Sequence, residues 1–599
     1  MIDIFKEYKE IFVTILHEIA KENTIEINEK DFDNFIVEPA KDKSHGSFAC
    51  NAAMVLSKKF LMCRKTNNPK KLAALIIEKI KENKSENFYL KSIEKLEIAG
   101  PGFINIFVKN DIFYQILADL LQKKAFIFQN IGKNEKINLE YASPNPTGPI
   151  HVGHTRGAIY GDVLANLLQK VGFDVLKEYY INDAGSQIIT LVKSAYIRYL
   201  QALGEKVTLS EGLYPGEYLI PIGQALKEKY GEGLKNKDLD GKIRDFVISE
   251  MVAMIIADLE ALGIKHNSYF SEKKELHDKN KIEEAIEILH KKDLIYVGKL
   301  EAPKTEKGVG ALPEGYSQEN QTLFRSTLFG DDQDRVVKKS DGTPTYFAGD
   351  LAYALSKFKR GATKFIMPLG FDHAGYVKRL TAAVQALTDG KAELKIILCQ
   401  MVKFIKNGEP LKMSKRAGNF ITAREVIDEV GSDALRFIML TRKNDAPFDF
   451  DLNKVIEQSK ENPIFYVQYA HARCCSVIRN TRSEDRLTNI ENEAADLSIL
   501  QNLQYETELE IIKKIAAFPR LIEMAATSYE PHRIAFYLQE LAAIFHSLWN
   551  KGIENPELKF IIKDDLEKTK ARIFLLMALK IIIKTGLDIF NIKALKEMR

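Results

Sequence analysis

The sequence predicts a three-part molecule: a small N-terminal α+β module, a central parallel α/β domain, and a C-terminal all-α bundle. Three observations carry this expectation. Between about residues 130 and 455, strand-like apolar runs alternate with helix-periodic ones, the rhythm of a parallel sheet with crossover helices. A strand–turn–strand pattern stands alone before that region, and strand signals fade after it. A chain of 599 residues is also too long for one core.

The first module is assigned to residues 1–124. MIDIFKEYKEIFVTILHEIA mixes acids and lysines with apolar residues at helical spacing, so it reads as an amphipathic helix and not as a signal peptide. A loop is expected around KDKSHGSFA and a helix over NPKKLAALIIEKIKEN. IEKLEIAGPGFINIFV reads as two strands joined by a Gly-Pro-Gly turn. FQNIGKNEK has no apolar period and is the expected connection, with a boundary near residue 130.

The central domain is assigned to residues 130–455. KINLEYA, ATKFIMPLG and LKIILCQMV are its clearest strands, and GAIYGDVLANLLQKVG and VKRLTAAVQALTDG its clearest helices. Ligands bind such sheets at the carboxyl ends of the strands. From 456 to 599 the runs LSILQNLQYETELEIIKKIAAF, RIAFYLQELAAIFHSLWNKG and ARIFLLMALKIIIKTGL are all helix-periodic, hence a bundle.

With 86 basic against 82 acidic side chains the net charge is +4, which by itself announces no nucleic-acid partner. Cys50, Cys63, Cys399, Cys474 and Cys475 show neither zinc-site nor disulfide-framework spacing, so no metal site and a reducing, cytoplasmic setting are expected. The most apolar late stretch, Ile573 to Ile583, contains Lys580 and falls far short of the roughly 20 residues a membrane span needs.

Chemistry concentrates in NLEYASPNPTGPIHVGHTRGAIYGD, where a strand enters a Pro/Gly-rich loop and a helix begins near His151-Val152-Gly153-His154. A helix N-terminus offers backbone N–H groups and partial positive charge, and Gly153 lets a nucleotide approach closely. His151 and His154 can donate to phosphate oxygens as charge builds there. Alone, the pair could equally be a metal pair or surface histidines. Downstream, NGEPLKMSKRAGN places Lys412 and Lys415 around Met413 and Ser414 in a basic, turn-prone loop suited to a departing pyrophosphate, or else merely solvated.

Together HVGH and KMSKR resemble the two signatures of class I aminoacyl-tRNA synthetases, which implies a Rossmann-type catalytic domain. Gly370, Phe371, Asp372 and His373 resemble the element of that class near the ATP ribose; Asp372 could also be a helix cap. EYASPNPTGPIHVGH, YYINDAGSQI, GDLAYALSKF, LGFDHAGYVKRL, GSDALRF and NPIFYVQYAHAR are similar to arginyl-tRNA synthetase segments in that family's order. The resemblance implies that Tyr346, Asp350 and Glu272 hold a guanidinium, which favours paired carboxylates. It implies that Glu140, Ser143 and Asn145, with His154, hold the polar end of the amino acid. Asp350 could instead cap a helix starting at Leu351, and Tyr346 could be an ordinary aromatic.

The resemblance further implies ATP with Mg2+, L-arginine and tRNA(Arg) as partners, a monomer with no membrane role, and arginine activation that depends on bound tRNA. The N-terminal module would reach the tRNA elbow, and the bundle, beginning near Asp433-Ala434-Leu435-Arg436, would read the anticodon loop. Tyr466, Tyr469 and Arg473 are candidate RNA contacts, although i, i+3, i+7 also describes one packed helix face. Competing readings are a cysteine enzyme of the same class, a non-charging RNA-binding homologue, and a small-molecule nucleotidyltransferase.

Overall fold

The structure, a computed structural model, describes residues 3–40, 42–61, 68–83, 86–122, 128–237, 239, 241–300, 317, 319–410, 421–457, 461–481, 487 and 490–598. The N-terminal module holds α1 (Ile4–Glu22), β1 (Val37–Pro39), β2 (Phe48–Cys50), α2 (Ala52–Leu61), α3 (Pro69–Glu82), α4 (Phe88–Ser92), β3 (Ile93–Ala99), β4 (Phe103–Val108) and α5 (Asp111–Gln122). Asp3 and Asn68 cap α1 and α3 by accepting from Phe5 and Lys70 backbone N–H groups. Its four strands run in the order β1-β2-β4-β3, all antiparallel. The expected Gly-Pro-Gly hairpin joins β3 to β4, whereas part of the stretch read as a loop forms β2 because Phe48 is buried and its backbone pairs with β4.

The central sheet is parallel, in the order β12-β11-β5-β6-β7. It is built from β5 (Lys136–Glu140), α6 (Thr155–Lys170), β6 (Asp174–Ile181), β7 (Ser268–Ser271), α10 (Lys281–Lys291), α11 (Tyr346–Lys359), β11 (Lys364–Gly370), α12 (Val377–Thr388) and β12 (Glu393–Cys399). Two insertions interrupt it. Between β6 and β7, helices α7 (Ser186–Ala202), α8 (Leu219–Tyr230) and α9 (Lys242–Ala261) close around a core of their own. Between α10 and α11, β8 (Ile295–Gly298), β9 (Gln321–Phe324) and β10 (Arg335–Lys338) make a small antiparallel sheet.

After β12 come β13 (Val402–Lys406), β14 (Glu409–Pro410), α13 (Ala423–Val430), α14 (Ser432–Met439), β15 (Phe448–Asp451) and α15 (Leu452–Ile456). The bundle is α16 (Pro463–Thr481), α17 (Leu497–Leu500), α18 (Glu506–Ala516), α19 (Phe518–Thr527), α20 (His532–Glu554) and α21 (Leu566–Ile589). The hydrophobic core runs without interruption from the N-terminal module through α6 into α21. The Tyr114 hydroxyl on α5 donates to the Leu503 carbonyl (2.8 Å), and Asn166 on α6 donates to the Ile589 carbonyl (3.1 Å). Among the described residues, no helix is long and apolar enough to cross a membrane.

Candidate active site

A cleft of about 1100 Å³ opens at the carboxyl ends of β5, β11 and β12. Its floor is the Pro/Gly-rich loop after β5, where no regular element could hold the chain. Individual hydrogen bonds do so instead. Tyr179 donates to the Pro144 carbonyl (2.7 Å), the Ser143 hydroxyl accepts from the Tyr180 N–H (3.0 Å), and Tyr218 of the helical insertion donates to the Thr147 carbonyl (2.7 Å). Ala142 sits at φ 52°, a left-handed conformation that costs a non-glycine residue roughly 1–2 kcal/mol and persists because its neighbours fix it.

His151 lies just before a short 3-10 turn, Val152–His154, that leads into α6. Its Nδ1 accepts from the Gly153 N–H (3.1 Å), and the His151 and His154 rings stack with centroids 3.6 Å apart. A side chain at Gly153 would bring Cβ to 2.9 Å from the His151 ring, so glycine serves the histidine pair as well as the approach of a ligand. Val152 N–H donates to the Ile421 carbonyl (3.0 Å) and Ala423 N–H to the Ile150 carbonyl (2.7 Å). The chain that leaves the second signature is thereby clamped to the first. Lys412, Met413, Ser414 and Lys415 themselves lie outside the described residues.

Gly153, His151 and His154 line the cleft together with Glu140, Ser143, Asn145, Gly370, Asp372 and His373. Asp372 is 71% exposed at its side chain, with His373 Nε2 at 3.6 Å. It lies inside the 3-10 turn Phe371–Tyr376, which Gly370 precedes, so it caps no helix. Asn145 donates to Gln187 Oε1 (2.9 Å), a partner that sequence reading passed over. Glu140 is buried and paired with Lys357 Nζ (2.7 Å).

The other predicted residues gather next door. A cavity of about 380 Å³ is lined by Glu272, His277, Tyr346 and Gly349, and it meets the large cleft at Ser186. Tyr346 is 64% exposed and so is no core aromatic. Thr345 caps α11 by accepting from the Ala348 N–H, which leaves Asp350 in the helix and removes the capping alternative. Asp350 does not line either cavity. Burial, with the Glu272 and Asp350 charges after it, holds the Tyr180 hydroxyl well above the usual phenol range, and that hydroxyl hydrogen-bonds Glu272. Glu272 also receives His277 Nε2 at 3.2 Å, at the start of a π-helical turn over Lys273–His277. Among the described residues Glu272 is the one acid on the lining of this cavity, which also carries Arg335, Lys339 and Arg379.

The segment at which the bundle is expected to begin is a buried anchor: Arg436 is 1% exposed and donates to Asp162 Oδ2 (2.6 Å), the Phe590 carbonyl (2.6 Å) and the Leu262 carbonyl (2.8 Å). A buried guanidinium persists only when its donors are taken up, and here three elements supply the acceptors. Tyr466, Tyr469 and Arg473 do share one face of α16. His546 lies 4.3 Å from the Tyr466 ring, and the Arg473 guanidinium lies over Tyr469 (4.1 Å) and Trp549 (4.4 Å). Arg156, missed in sequence, is buried just after the first signature and donates to the Gln400, Lys443 and Ala446 carbonyls.

Comparison with known proteins agrees with this layout. Family models match in order: arginyl tRNA synthetase N terminal domain (residues 6–108), tRNA synthetases class I (R), catalytic domain (115–213), tRNA synthetases class I (I, L, M and V) (345–451), and DALR anticodon binding domain (467–598). An arginine–tRNA ligase of Wolbachia pipientis subsp. Culex pipiens is 47% identical over 597 residues, and one of Ruegeria pomeroyi 46% over 602, each covering 100% of both chains. The fold is that of the Thermus thermophilus arginyl-tRNA synthetase structure, with TM-score 0.68 at 18% identity and 100% coverage of both chains. Likeness at this level, end to end, means that the chain belongs to the arginyl-tRNA synthetases of class I.

Proposed function

We propose that this enzyme binds the guanidinium of L-arginine in the smaller cavity and builds arginyl-adenylate in the larger cleft, before the 3′-terminal ribose of tRNA(Arg) takes the arginyl group. The observation that carries this reading is the junction of the two cavities at Ser186: a recess that presents Glu272 and Tyr346, with Arg335, Lys339 and Arg379 also on its wall, opens directly onto a helix N-terminus with a stacked histidine pair. In the first step the arginine carboxylate attacks the α-phosphate of ATP, the bond to the β-phosphate breaks, and pyrophosphate leaves. In the second, a ribose hydroxyl attacks the carbonyl carbon and AMP leaves.

Tyr346 and Glu272 contact the guanidinium, and Asp350 adds its charge one helical turn behind Tyr346. Glu140, Ser143 and Asn145 receive the ammonium end. His151 and His154 take charge on the α-phosphate, Gly153 leaves room for the nucleotide, and Lys412 and Lys415 follow that charge onto pyrophosphate. Gly370, Asp372, His373, Met413 and Ser414 frame the nucleotide. Among the described residues no group of three or more His, Cys, Asp or Glu side chains could hold a metal. We take magnesium to be carried on the ATP phosphates, where it screens their charge. On RNA, Tyr466 is taken up by packing on His546, and the partly exposed Tyr469–Arg473 side of α16 is left for the anticodon loop. We assign domains to residues 1–124, 130–455 and 456–599, and take the enzyme to be a cytoplasmic monomer.

The test is charging of total bacterial tRNA with labelled arginine, with cysteine as control, alongside ATP–pyrophosphate exchange with and without tRNA. Arginine-specific charging is expected, with exchange only when tRNA is present. Charging by cysteine, or by neither amino acid, would overturn the assignment.

A further inference from the structure

Helix α11 carries Tyr346, Asp350, Tyr353 and Lys357 at i, i+4, i+7 and i+11, one stripe on one face. The first two belong to the guanidinium end of the site as read above. The last two run beneath the sheet's polar centre. Tyr353 donates to Glu178 Oε1 (2.8 Å), and Glu178 also accepts from Asn138 (2.8 Å), Ser268 (2.9 Å) and both arms of Arg360. Burial raises the Glu178 carboxyl, but Arg360 and Lys357 outweigh it and hold it down at about 2. Glu178 is thus fully served without a direct bond from Lys357.

Lys357 reaches elsewhere. Its side chain is 2% exposed, its ammonium lies over the Tyr353 ring at 4.1 Å, and its ion-pair partner is Glu140 at 2.7 Å. Taking an ammonium out of water costs several kcal/mol unless it is paired. A lysine needed only for the fold would have no reason to spend its one carboxylate at the rim of a ligand cleft, yet Glu140 is both its partner and a cleft residue.

We propose that Lys357 is a positioning residue for substrate arginine: it holds the Glu140 carboxylate at the cleft edge, so that helix α11 sets the distance between the groups that receive the two ends of the amino acid. Glu140 sits at the last residue of β5 and Tyr346 at the first turn of α11, and the Lys357–Glu140 pair ties that strand end to that helix. Preorganisation of this kind lowers the cost of ordering a binding group when the ligand arrives. The inference rests on the reading of Glu140 as the group that meets the arginine ammonium.

The experiment measures steady-state charging and ATP–pyrophosphate exchange for full-length Lys357→Met, Lys357→Arg, Glu140→Gln and the Lys357→Met/Glu140→Gln double variant. Circular dichroism and melting temperature certify the folded state. Lys357→Met is expected to raise the KM for arginine tenfold or more, while the KM for ATP stays within twofold. Lys357→Arg should recover most of that loss, and the double variant should be no worse than the poorer single one, because both remove the same interaction. A folded Lys357→Met enzyme with unchanged arginine KM overturns the proposal. Should Lys357→Met not fold, Lys357→Arg decides, since an arginine placed at the pair must retain arginine KM within a few-fold or the proposal fails. If Glu140→Gln itself leaves arginine KM unchanged, the assignment of Glu140 falls, and this inference falls with it. If Glu140→Gln raises KM and Lys357→Met does not, only this inference falls.

Discussion

Replacing Arg436 by methionine keeps most of its apolar stem and removes the charged hydrogen bonds that tie this residue of α14 to Asp162 and to the Phe590 and Leu262 carbonyls. Burial pushes the Asp162 carboxyl up, but Arg436 and Lys177 together outweigh it and hold it below the usual range. After substitution Asp162 keeps Lys177 at 3.0 Å and the Tyr141 hydroxyl at 3.2 Å, so the loss sits at the low end of the 3–5 kcal/mol typical of breaking a buried pair. The Phe590 and Leu262 carbonyls also lose a cationic donor, at about 1 kcal/mol each. The expected destabilisation is therefore about 5 kcal/mol. Trp549 is the single tryptophan, sits in the bundle, and packs on Phe560 and Arg473, so urea unfolding followed by its fluorescence reports the bundle's release. The double variant Arg436→Met/Asp162→Asn should be clearly less destabilised than the sum of the two single ones, because an unpaired buried charge no longer remains. Well below the transition, tRNA affinity should match that of the unsubstituted protein. A midpoint unchanged within error together with weakened tRNA binding would place Arg436 on an RNA-binding surface and refute its role as a buried anchor.

Three further outcomes are expected. Lys415→Ala should slow adenylate formation at least a hundredfold in single-turnover assays while the Kd for tRNA changes less than threefold; comparable losses in both would remove it from the pyrophosphate step. Asp350→Asn should raise the arginine KM tenfold or more with little change for ATP, and an unaltered arginine KM would detach Asp350 from guanidinium recognition. Burial lowers the His266 imidazole to about 4, so the folded state favours the neutral ring; the stability it contributes is complete above about pH 6.5 and is lost as pH falls toward 4, by roughly 3 kcal/mol. Urea midpoints of His266→Gln should fall less steeply over that window, and parallel slopes would show that other groups govern acid unfolding.

Reading the chain alone located the hairpin of the first module, the parallel sheet, the helical bundle and the first signature, because these rest on periodicity and on short motifs whose chemistry is local. The histidine pair and the glycine between them are three residues of one turn, so their spacing in sequence is their spacing in space. The same reading took part of β2 for a loop and passed over the buried partners of Arg156, Arg436 and Lys357 and the contact made by Gln187. Each of these is decided by a partner far along the chain: Arg436 by Asp162 and Phe590, Phe48 by β4, Arg156 by carbonyls near residues 400 and 443, and Lys357 by Glu140. An arginine or lysine is ambiguous in sequence because its long apolar stem lets it lie on a surface or deep in a core, and only the acceptors waiting at its tip settle which. The sequence by itself determined which chemical groups this enzyme carries and the order in which they come. Tertiary structure alone decided which of those charges face a substrate and which are consumed in holding the cleft to the bundle, since burial and pairing arise from contacts across hundreds of residues.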